Sequence, residues 1–349
     1  DDPAAGGKRI ASKGRNTVRA VVLHEHGDIE NLTYHEDYAD PECGEGQVVI
    51  RVRATSLNYH DVFTTKGMPG IKVPLPIVIG LDISGEIAQI GAGVDGWSVG
   101  DRVLVNPLDP ITPEKGLMGE MLDGGTAELC AVDATRLIRI PDGCSYEQAA
   151  ALPVAYGTAH RMMITNGRMK GGEKVLILGA SGGVGSCCVL LAKAMGCEVV
   201  AAGSSPEKLE ALKSWGADHV IGYEDFEKTI YGIYGKPHRR KFEGGVDVVI
   251  NFTGGDTWVP SLKATQRGGK ILTCGATAGF DPKEDLRYIW TFELQVLGSN
   301  SWAIEDLETL MEMIAEDKLK PVIDTVLPLE QTAEGVRQLR DREVIGKIV

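Results

Sequence analysis

The stretch Lys174-Val-Leu-Ile-Leu-Gly-Ala-Ser-Gly-Gly-Val-Gly185 constrains this chain more than any other. An apolar run breaks at glycines and gives way to Ser186–Met195, which reads as helix. A buried strand, a tight turn and a helix therefore follow one another. Spaced as Ala180-x-Gly182-x-x-Gly185, the small residues permit the turn, let backbone approach a pyrophosphate and let the helix pack closely on its strand. The amides and positive end of that helix then face the phosphates. Ala180, Ser181, Gly182, Gly183, Val184 and Gly185 are accordingly the candidate phosphate-binding residues. A purely structural βα turn is the alternative reading of the same glycines.

The rhythm of that unit extends through the second half of the chain. Helix Gly157–Thr165 precedes it, and strand Glu198–Ala202, helix Pro206–Trp215, strand His219–Gly222, a helical stretch and strand Val246–Phe252 follow. Helix Thr257–Ala264 and strands Gly269–Cys274 and Leu294–Gly298 continue the alternation. Strands that read as apolar runs between helices predict a doubly wound parallel sheet. Residues 18–152 read differently, as short strands with Gly and Pro punctuation: Val18–Leu23, Gln47–Ser56, Ile83–Ile90, Arg102–Val105 and Thr126–Val132. That spacing predicts a barrel-like β domain. Ala303–Glu316 reads as an amphipathic helix, and Gln331–Val349 as a helix and a last strand returning to the first domain. The expected class is α/β, with a flexible tail over 1–17, a β domain over 18–153 and 299–349, and a dinucleotide domain over 154–298.

Charge narrows the partners. Lys and Arg number 36 against 49 Asp and Glu, a net charge of −13, which argues against nucleic acid and anionic membrane surfaces. The basic cluster Lys236-Pro-His-Arg-Arg-Lys241 reads as a solvated loop. No apolar span reaches the roughly 18 residues of a membrane helix, and the first residues lack a signal-peptide core. The expectation is a cytoplasmic protein acting on a small molecule. Seven cysteines, with no Cys-x-x-Cys pair, read as reduced buried thiols rather than disulfides or a zinc knuckle.

The cofactor is read from the second strand of the alternating half. NAD-binding turns place an acid roughly 20 residues past the first glycine, on the ribose 2′-hydroxyl. Here the chain reads Ala201-Ala-Gly-Ser-Ser205. Ser204 and Ser205 can donate to a 2′-phosphate and Lys208 supplies charge, so NADPH is expected over NADH. Ser205 can equally cap the helix that starts at Pro206. Asn251-Phe-Thr-Gly-Gly255 and Cys274-Gly-Ala276 end apolar strands at the carboxyl edge of the sheet, which puts Asn251, Thr253, Cys274, Gly275 and Ala276 beside the nicotinamide half. Cys274 reads there as packing, not as a nucleophile.

Six motifs together resemble the medium-chain dehydrogenase/reductase superfamily, in its zinc-free quinone oxidoreductase and enoyl reductase branch. They are Asn58-Tyr-His-Asp61, Gly80-Leu-Asp-Ile-Ser-Gly85, Val99-Gly-Asp-Arg-Val103, Tyr156-Gly-Thr-Ala159, Ala180-Ser-Gly-Gly-Val-Gly185 and Gly346-Lys-Ile-Val349. The resemblance implies a GroES-like β-barrel catalytic domain, a Rossmann domain and a homodimer or homotetramer. It also implies that Tyr223 meets the adenosine phosphate region, that Thr158 helps fix the nicotinamide, and that Asn58 faces the nicotinamide side. His60 stands where many zinc relatives carry a relay hydroxyl, and Tyr59 near the place of a catalytic tyrosine in some enoyl reductases. Asn58, Tyr59 and His60 are thus the catalytic candidates, with strand alternation setting Tyr59 opposite the other two. Zinc relatives carry Cys at the place of Asn58, His at that of Leu81, and four cysteines in a lobe matching 106–125, which has none here. No metal is therefore expected, and Asp61 and Asp82 read as structural hydrogen-bonding residues.

Without a Lewis acid, carbonyl–alcohol interconversion loses its usual stabilisation of alkoxide charge. Hydride addition to a C=C bond conjugated with a carbonyl depends on it less, because ordinary donors stabilise an enolate. The expected activity is NADPH-dependent, zinc-independent reduction of quinones or α,β-unsaturated carbonyl compounds. The alternatives are an alcohol or ketone dehydrogenase of the same superfamily, and an NADPH-binding structural or redox-sensing protein with little turnover.

Overall fold

The computed structural model describes residues 17–349, so the expected tail lies, but for Thr17, outside the described residues. The chain begins with β1 (Thr17–Leu23), β2 (Leu32–Ala39), β3 (Gln47–Ser56), α1 (Tyr59–Lys66), β4 (Ile77–Val78) and β5 (Asp82–Ile90). Next come β6 (Arg102–Val105), β7 (Leu129–Asp133), β8 (Leu137–Arg139) and α2 (Tyr146–Ala150). A helical stretch over 152–166 centres on α3 (Thr158–His160), with wider π turns on both sides. Alternation follows: β9 (Lys174–Ile177), α4 (Gly183–Ala194), β10 (Glu198–Ala202), α5 (Pro206–Ser214), β11 (His219–Ile221), α6 (Phe226–Tyr234), β12 (Val246–Ile250) and α7 (Trp258–Ala264). The chain closes with β13 (Thr265–Thr273), α8 (Leu286–Phe292), β14 (Gln295–Gly298), α9 (Ile304–Ala315), β15 (Ile323–Thr325), α10 (Thr332–Arg340) and β16 (Lys347–Ile348).

Two compact units result. The first holds residues up to Val154 with Leu307–Asp317 and Ile323–Val349, and the second holds Ala155–Asp306 with Lys318–Val322. In the first, an antiparallel sheet of order β7-β3-β5-β6-β8 stands with a smaller sheet β2-β1-β4. Along β3, Val48 and Ile50 point into a core shared with Ile83, Ile87, Val103 and Val105, while Arg51 is exposed. Strand β16 is brought to the end of β3 by the Leu57 N–H, which donates to Ile348 O at 3.0 Å.

The second unit is a six-stranded parallel sheet of order β11-β10-β9-β12-β13-β14. Its four central strands carry the buried apolar residues: Leu176, Val200, Val249 and Ile271 share one core. From β9 the chain winds outward through β10 and β11, then returns to β12 on the other side. That reversal makes the carboxyl end of β9 the topological switch point of a doubly wound Rossmann sheet.

Several elements escape the sequence reading. β2 carries His35, Glu36 and Asp37 and shows no clean alternation. β7 starts at Leu129 rather than Thr126, because Gly124, Gly125 and Thr126 donate their amides to Val78, Gly80 and Ile79. The strand expected at Gly269 begins at Thr265. α1 is the consequential omission, since it changes how residues 58–60 present their side chains.

Candidate functional site

Asn58 ends the run from β3 and begins α1. Its N–H donates to Asp61 Oδ2 at 2.8 Å, and Asp61 N–H donates to Asn58 O at 3.0 Å. Tyr59 and His60 are thus the first residues of a helix, about 100° apart around its axis, and the expected strand alternation does not apply. Tyr59 packs edge-to-face on Phe63, one turn on, with ring centroids 5.1 Å apart.

The Asn58 side chain is fully engaged. Its Oδ1 accepts from Lys347 Nζ at 2.5 Å, and its Nδ2 donates to Asp82 Oδ2 at 2.8 Å. Asp82 Oδ2 also accepts from Ser56 Oγ at 2.8 Å, and Oδ1 from Val154 N–H at 3.0 Å. Lys347 Nζ donates to Leu57 O at 2.9 Å and stands 3.5 Å from Asp82 Oδ2. Asp61 Oδ1 accepts from Gly80 N–H at 3.2 Å. Asn58, Asp61, Asp82 and Lys347 are all buried. Burial pushes the Asp61 carboxyl up to about 6, and burial pulls the Lys347 ammonium below its usual range against the opposing pull of Asp82 and Asp61.

His60 lies at the margin of this network, with Nε2 hydrogen-bonded to Glu120 Oε2. Burial works against its imidazolium, but the Glu120 hydrogen bond and the Asp61, Glu120 and Asp82 charges prevail and raise its pKa. A cavity of about 360 Å³ in the same unit, lined by Arg19, Arg51, Thr55, Leu57, Glu128 and Leu329 among others, meets the network at Leu57 but includes none of Asn58, His60, Asp61, Asp82, Glu120 and Lys347.

A zinc ion does not fit this donor set. The oxygen that Asn58 would present faces an ammonium, and among the described residues no three His, Cys, Asp or Glu side chains converge on one point. Residues 106–125 are organised by Arg136 instead. That buried guanidinium donates to Pro107 O at 2.5 Å and Gly116 O at 3.2 Å, with Asp109 3.7 Å away.

In the second unit, α4 begins directly after Gly182, which caps the helix without a side chain. A Cβ on Gly185 would stand 2.1 Å from Gly179 O and 2.6 Å from Ala180 Cα, so only glycine fits where α4 packs on the turn. A Cβ on Gly182 would meet only Gly179 O, at 3.7 Å, which leaves open space beside the half-buried Gly182, Gly183 and Val184. The first amides of a helix have no intrahelical acceptor, so this turn fits a diphosphate. Ala180 and Ser181 are buried beneath it.

Tyr223 reaches the turn, its hydroxyl accepting from Gly179 N–H at 2.7 Å. Thr253, Cys274, Gly275, Ala276 and Thr158 are half-buried or exposed around the sheet's carboxyl edge and α3. Asn251 is buried and spent internally: Oδ1 accepts the Thr253 and Gly254 amides at 3.0 Å, and Nδ2 donates to Thr257 Oγ1 and Ser261 Oγ. Its side chain builds the loop that presents Thr253. Burial pushes the Cys274 thiol up to about 12, consistent with packing rather than nucleophilic chemistry. Ser205 Oγ caps α5 by accepting Lys208 N–H at 3.3 Å, while Ser204 is exposed. Glu207 also belongs here: its own backbone amide and then the Ser205 hydroxyl hold its carboxyl below the usual range.

Sequence reasoning overlooked Lys347, Glu120 and Glu207. Lys347 stood within Gly346-Lys-Ile-Val349, and a lone lysine in an apolar strand was the signal available. Glu120 carried none.

Comparison with known proteins follows the same division. A zinc-binding dehydrogenase family model matches residues 183–316, and an alcohol dehydrogenase GroES-like domain model matches residues 44–142. The chain is 32% identical over 332 residues to the acryloyl-coenzyme A reductase of Sulfurisphaera tokodaii, spanning 90% of this chain and 95% of that protein. A solved NAD-dependent alcohol dehydrogenase superposes with a TM-score of 0.86 at 34% identity, over 95% of this chain and 98% of its own. The 2-octenoyl-CoA carboxylase reductase CinF, in complex with NADP and 2-octenoyl-CoA, superposes with a TM-score of 0.82 at 26% identity, over 95% of this chain and 87% of its own. The chain belongs to the medium-chain dehydrogenase/reductase superfamily, whose members are nicotinamide-dependent oxidoreductases. Its GroES-like and Rossmann parts are those of that superfamily.

Proposed function

We propose that the protein is an NADPH-dependent, zinc-independent reductase of α,β-unsaturated carbonyl compounds, with conjugated thioesters as the first class to test and quinones as the second. The observation that carries the reading is the Lys347 ammonium against Asn58 Oδ1. It puts a fixed cation where a Lewis-acidic metal would need a ligand, so carbonyl reduction has no metal to hold an alkoxide. An enolate spreads its charge and needs only ordinary donors. The acryloyl-CoA and octenoyl-CoA chemistry named for two relatives supports the same class.

When bound, the reduced nicotinamide supplies hydride. The amides of Gly183, Val184 and Gly185 would hold its diphosphate, over Ala180, Ser181 and Gly182, with Tyr223 steadying the turn. Ser204, Ser205 and Lys208 would hold the 2′-phosphate. Thr158, Thr253, Cys274, Gly275 and Ala276 would border the nicotinamide half, and Asn251 would shape that border. The proton would come from the start of α1, where Tyr59 and His60 follow the anchored Asn58.

A second reading, alcohol or ketone dehydrogenation with NAD, is favoured by the solved alcohol dehydrogenase and by Glu207 beside Ser205. Titration with NADPH and NADH, followed by a panel of enoyl thioesters, enones, quinones and alcohols, separates the two. NADPH should bind tighter, and Lys208→Ala should weaken NADPH about tenfold while leaving NADH within about twofold. Tighter NADH binding with alcohol-dependent turnover would overturn the proposal. A homodimer or homotetramer is part of it, supported by β14, which among the described residues has a strand partner on one side only and exposes Val296.

A further inference from the structure

His60 and Glu120 lie 60 residues apart in sequence, yet the loop that carries Glu120 has little freedom to leave the ring. Gly119 has φ +73°, and a Cβ there would stand 2.8 Å from the Gly80 backbone. A Cβ on Gly124 would stand 2.3 Å from Gly80 O. The Gly124 and Gly125 amides donate to Val78 O and Gly80 O at 2.7 and 2.8 Å, so Glu120 is tied on its C-terminal side to the segment leading into β5, while Gly119 packs against Gly80 on the other. At the loop's other end, buried Arg136 holds Pro107 O and Gly116 O. The Glu120 side chain is 8% exposed and that of His60 26%, so the carboxylate is enclosed while part of the imidazole is open.

With Nε2 committed to Glu120, Nδ1 is the ring nitrogen left to exchange a proton. The charged groups around the ring are Glu120 from the loop, Asp61 from α1 and Asp82 from β5, with Lys347 of β16 beyond Asp82.

We propose that Glu120 is the positioning residue that fixes His60 with Nε2 on the carboxylate and Nδ1–H free, making His60 the proton donor of the reduction; this rests on the reductase reading above. After an activated alkene has accepted hydride, one proton completes the reaction. The Nδ1–H bond breaks, a C–H bond forms at the carbon beside the carbonyl, and the enolate loses its charge. The imidazole is left neutral, still donating Nε2–H to Glu120, and regains its proton from solvent. Glu120 keeps its hydrogen bond to Nε2 throughout, and by stabilising the imidazolium it keeps the donor loaded at neutral pH.

The test combines pH–rate profiles with NMR of ¹⁵N-histidine-labelled full-length protein, His60 being assigned by its absence in His60→Gln. In the wild type, activity on an enoyl thioester should fall as pH rises through the His60 pKa. Its neutral form should carry the proton on Nε2. Glu120→Gln should move both the activity limb and the NMR titration down by about one pH unit, with about tenfold lower kcat at pH 8 and a smaller loss at pH 6. Glu120→Asp should recover part of the shift, and it carries the same test if Glu120→Gln fails to fold. An unmoved NMR titration in the folded Gln variant, or an Nδ1–H tautomer in the wild type, overturns the positioning role. A His60→Gln enzyme with unchanged kcat overturns the donor role. Wild-type inactivity on the whole panel overturns the reductase reading and the donor role with it, while the NMR titration still decides whether Glu120 sets the ring.

Discussion

Lys347 is a buried ammonium whose two hydrogen-bond acceptors and nearest carboxylate all come from residues 57–82. Removing one partner of a buried pair leaves the other charge uncompensated, which costs about 3–5 kcal/mol. Lys347→Met should therefore lose about that much in urea unfolding at pH 7. Asp61 helps set the pH dependence of this loss. Its folded pKa is raised to about 6, so the folded state holds that proton more tightly than the unfolded chain does. Its favourable contribution is complete below the unfolded value of 3.8, disappears as pH rises to about 6, and stays absent above. The Lys347→Met deficit should accordingly shrink at pH 4, where Asp61 is protonated and one buried charge fewer needs the ammonium. An equal deficit at both pH values would show that Lys347 acts by packing alone. In the sequence, Asn58, Tyr59 and His60 announced themselves as adjacent polar residues at a strand end. The groups that fix their orientation did not, because Glu120 and Lys347 meet them only through tertiary structure.

Among the elements, those of the parallel sheet were the most legible. Each buried strand is a short apolar run between turn residues, and Glu198–Ala202 begins and ends where the pattern places it. α1 was not, since its sequence Tyr-His-Asp-Val-Phe-Thr-Thr-Lys has no apolar stripe and two adjacent β-branched threonines. Its helical start depends on the Asn58–Asp61 exchange and on burial of Asp61, neither of which periodicity reports. The glycine turn couples legibility to energetics. A methyl at Gly185 would fall 2.1 Å from Gly179 O, so α4 would have to move off β9. Gly185→Ala should cost about 3 kcal/mol and abolish saturable cofactor binding. Gly182→Ala, in open space, should fold normally and weaken binding only. Differential scanning calorimetry with a cofactor fluorescence titration measures both, and a stable, cofactor-binding Gly185→Ala would contradict the packing argument.

The molecule as a whole carries a net charge of −13 and, among its described residues, no helix long and apolar enough to cross a membrane. The strand order β11-β10-β9-β12-β13-β14 was expected only as a class, because alternation of strands and helices leaves the position of each strand open. That order makes β14 an edge, where Val296 is 40% exposed and, on the preceding α8, Trp290 is 65% exposed. If a second copy covers this edge, Val296→Asp should shift the light-scattering mass toward the monomer with the thermal transition nearly unchanged. An unshifted mass would place the interface elsewhere.

The polar network around Asn58 also has a schedule. Ribosomes add roughly 5–20 residues per second, so Lys347 is made on the order of ten seconds or more after Asp82. Through that interval the nascent β3–β5 ribbon holds two carboxylates without their ammonium, and it can close only with a proton or trapped water in its place. Every residue of the dinucleotide unit is synthesised before Lys347. The Rossmann sheet is therefore free to mature first on the emerging chain, and the polar network around Asn58 is completed afterwards.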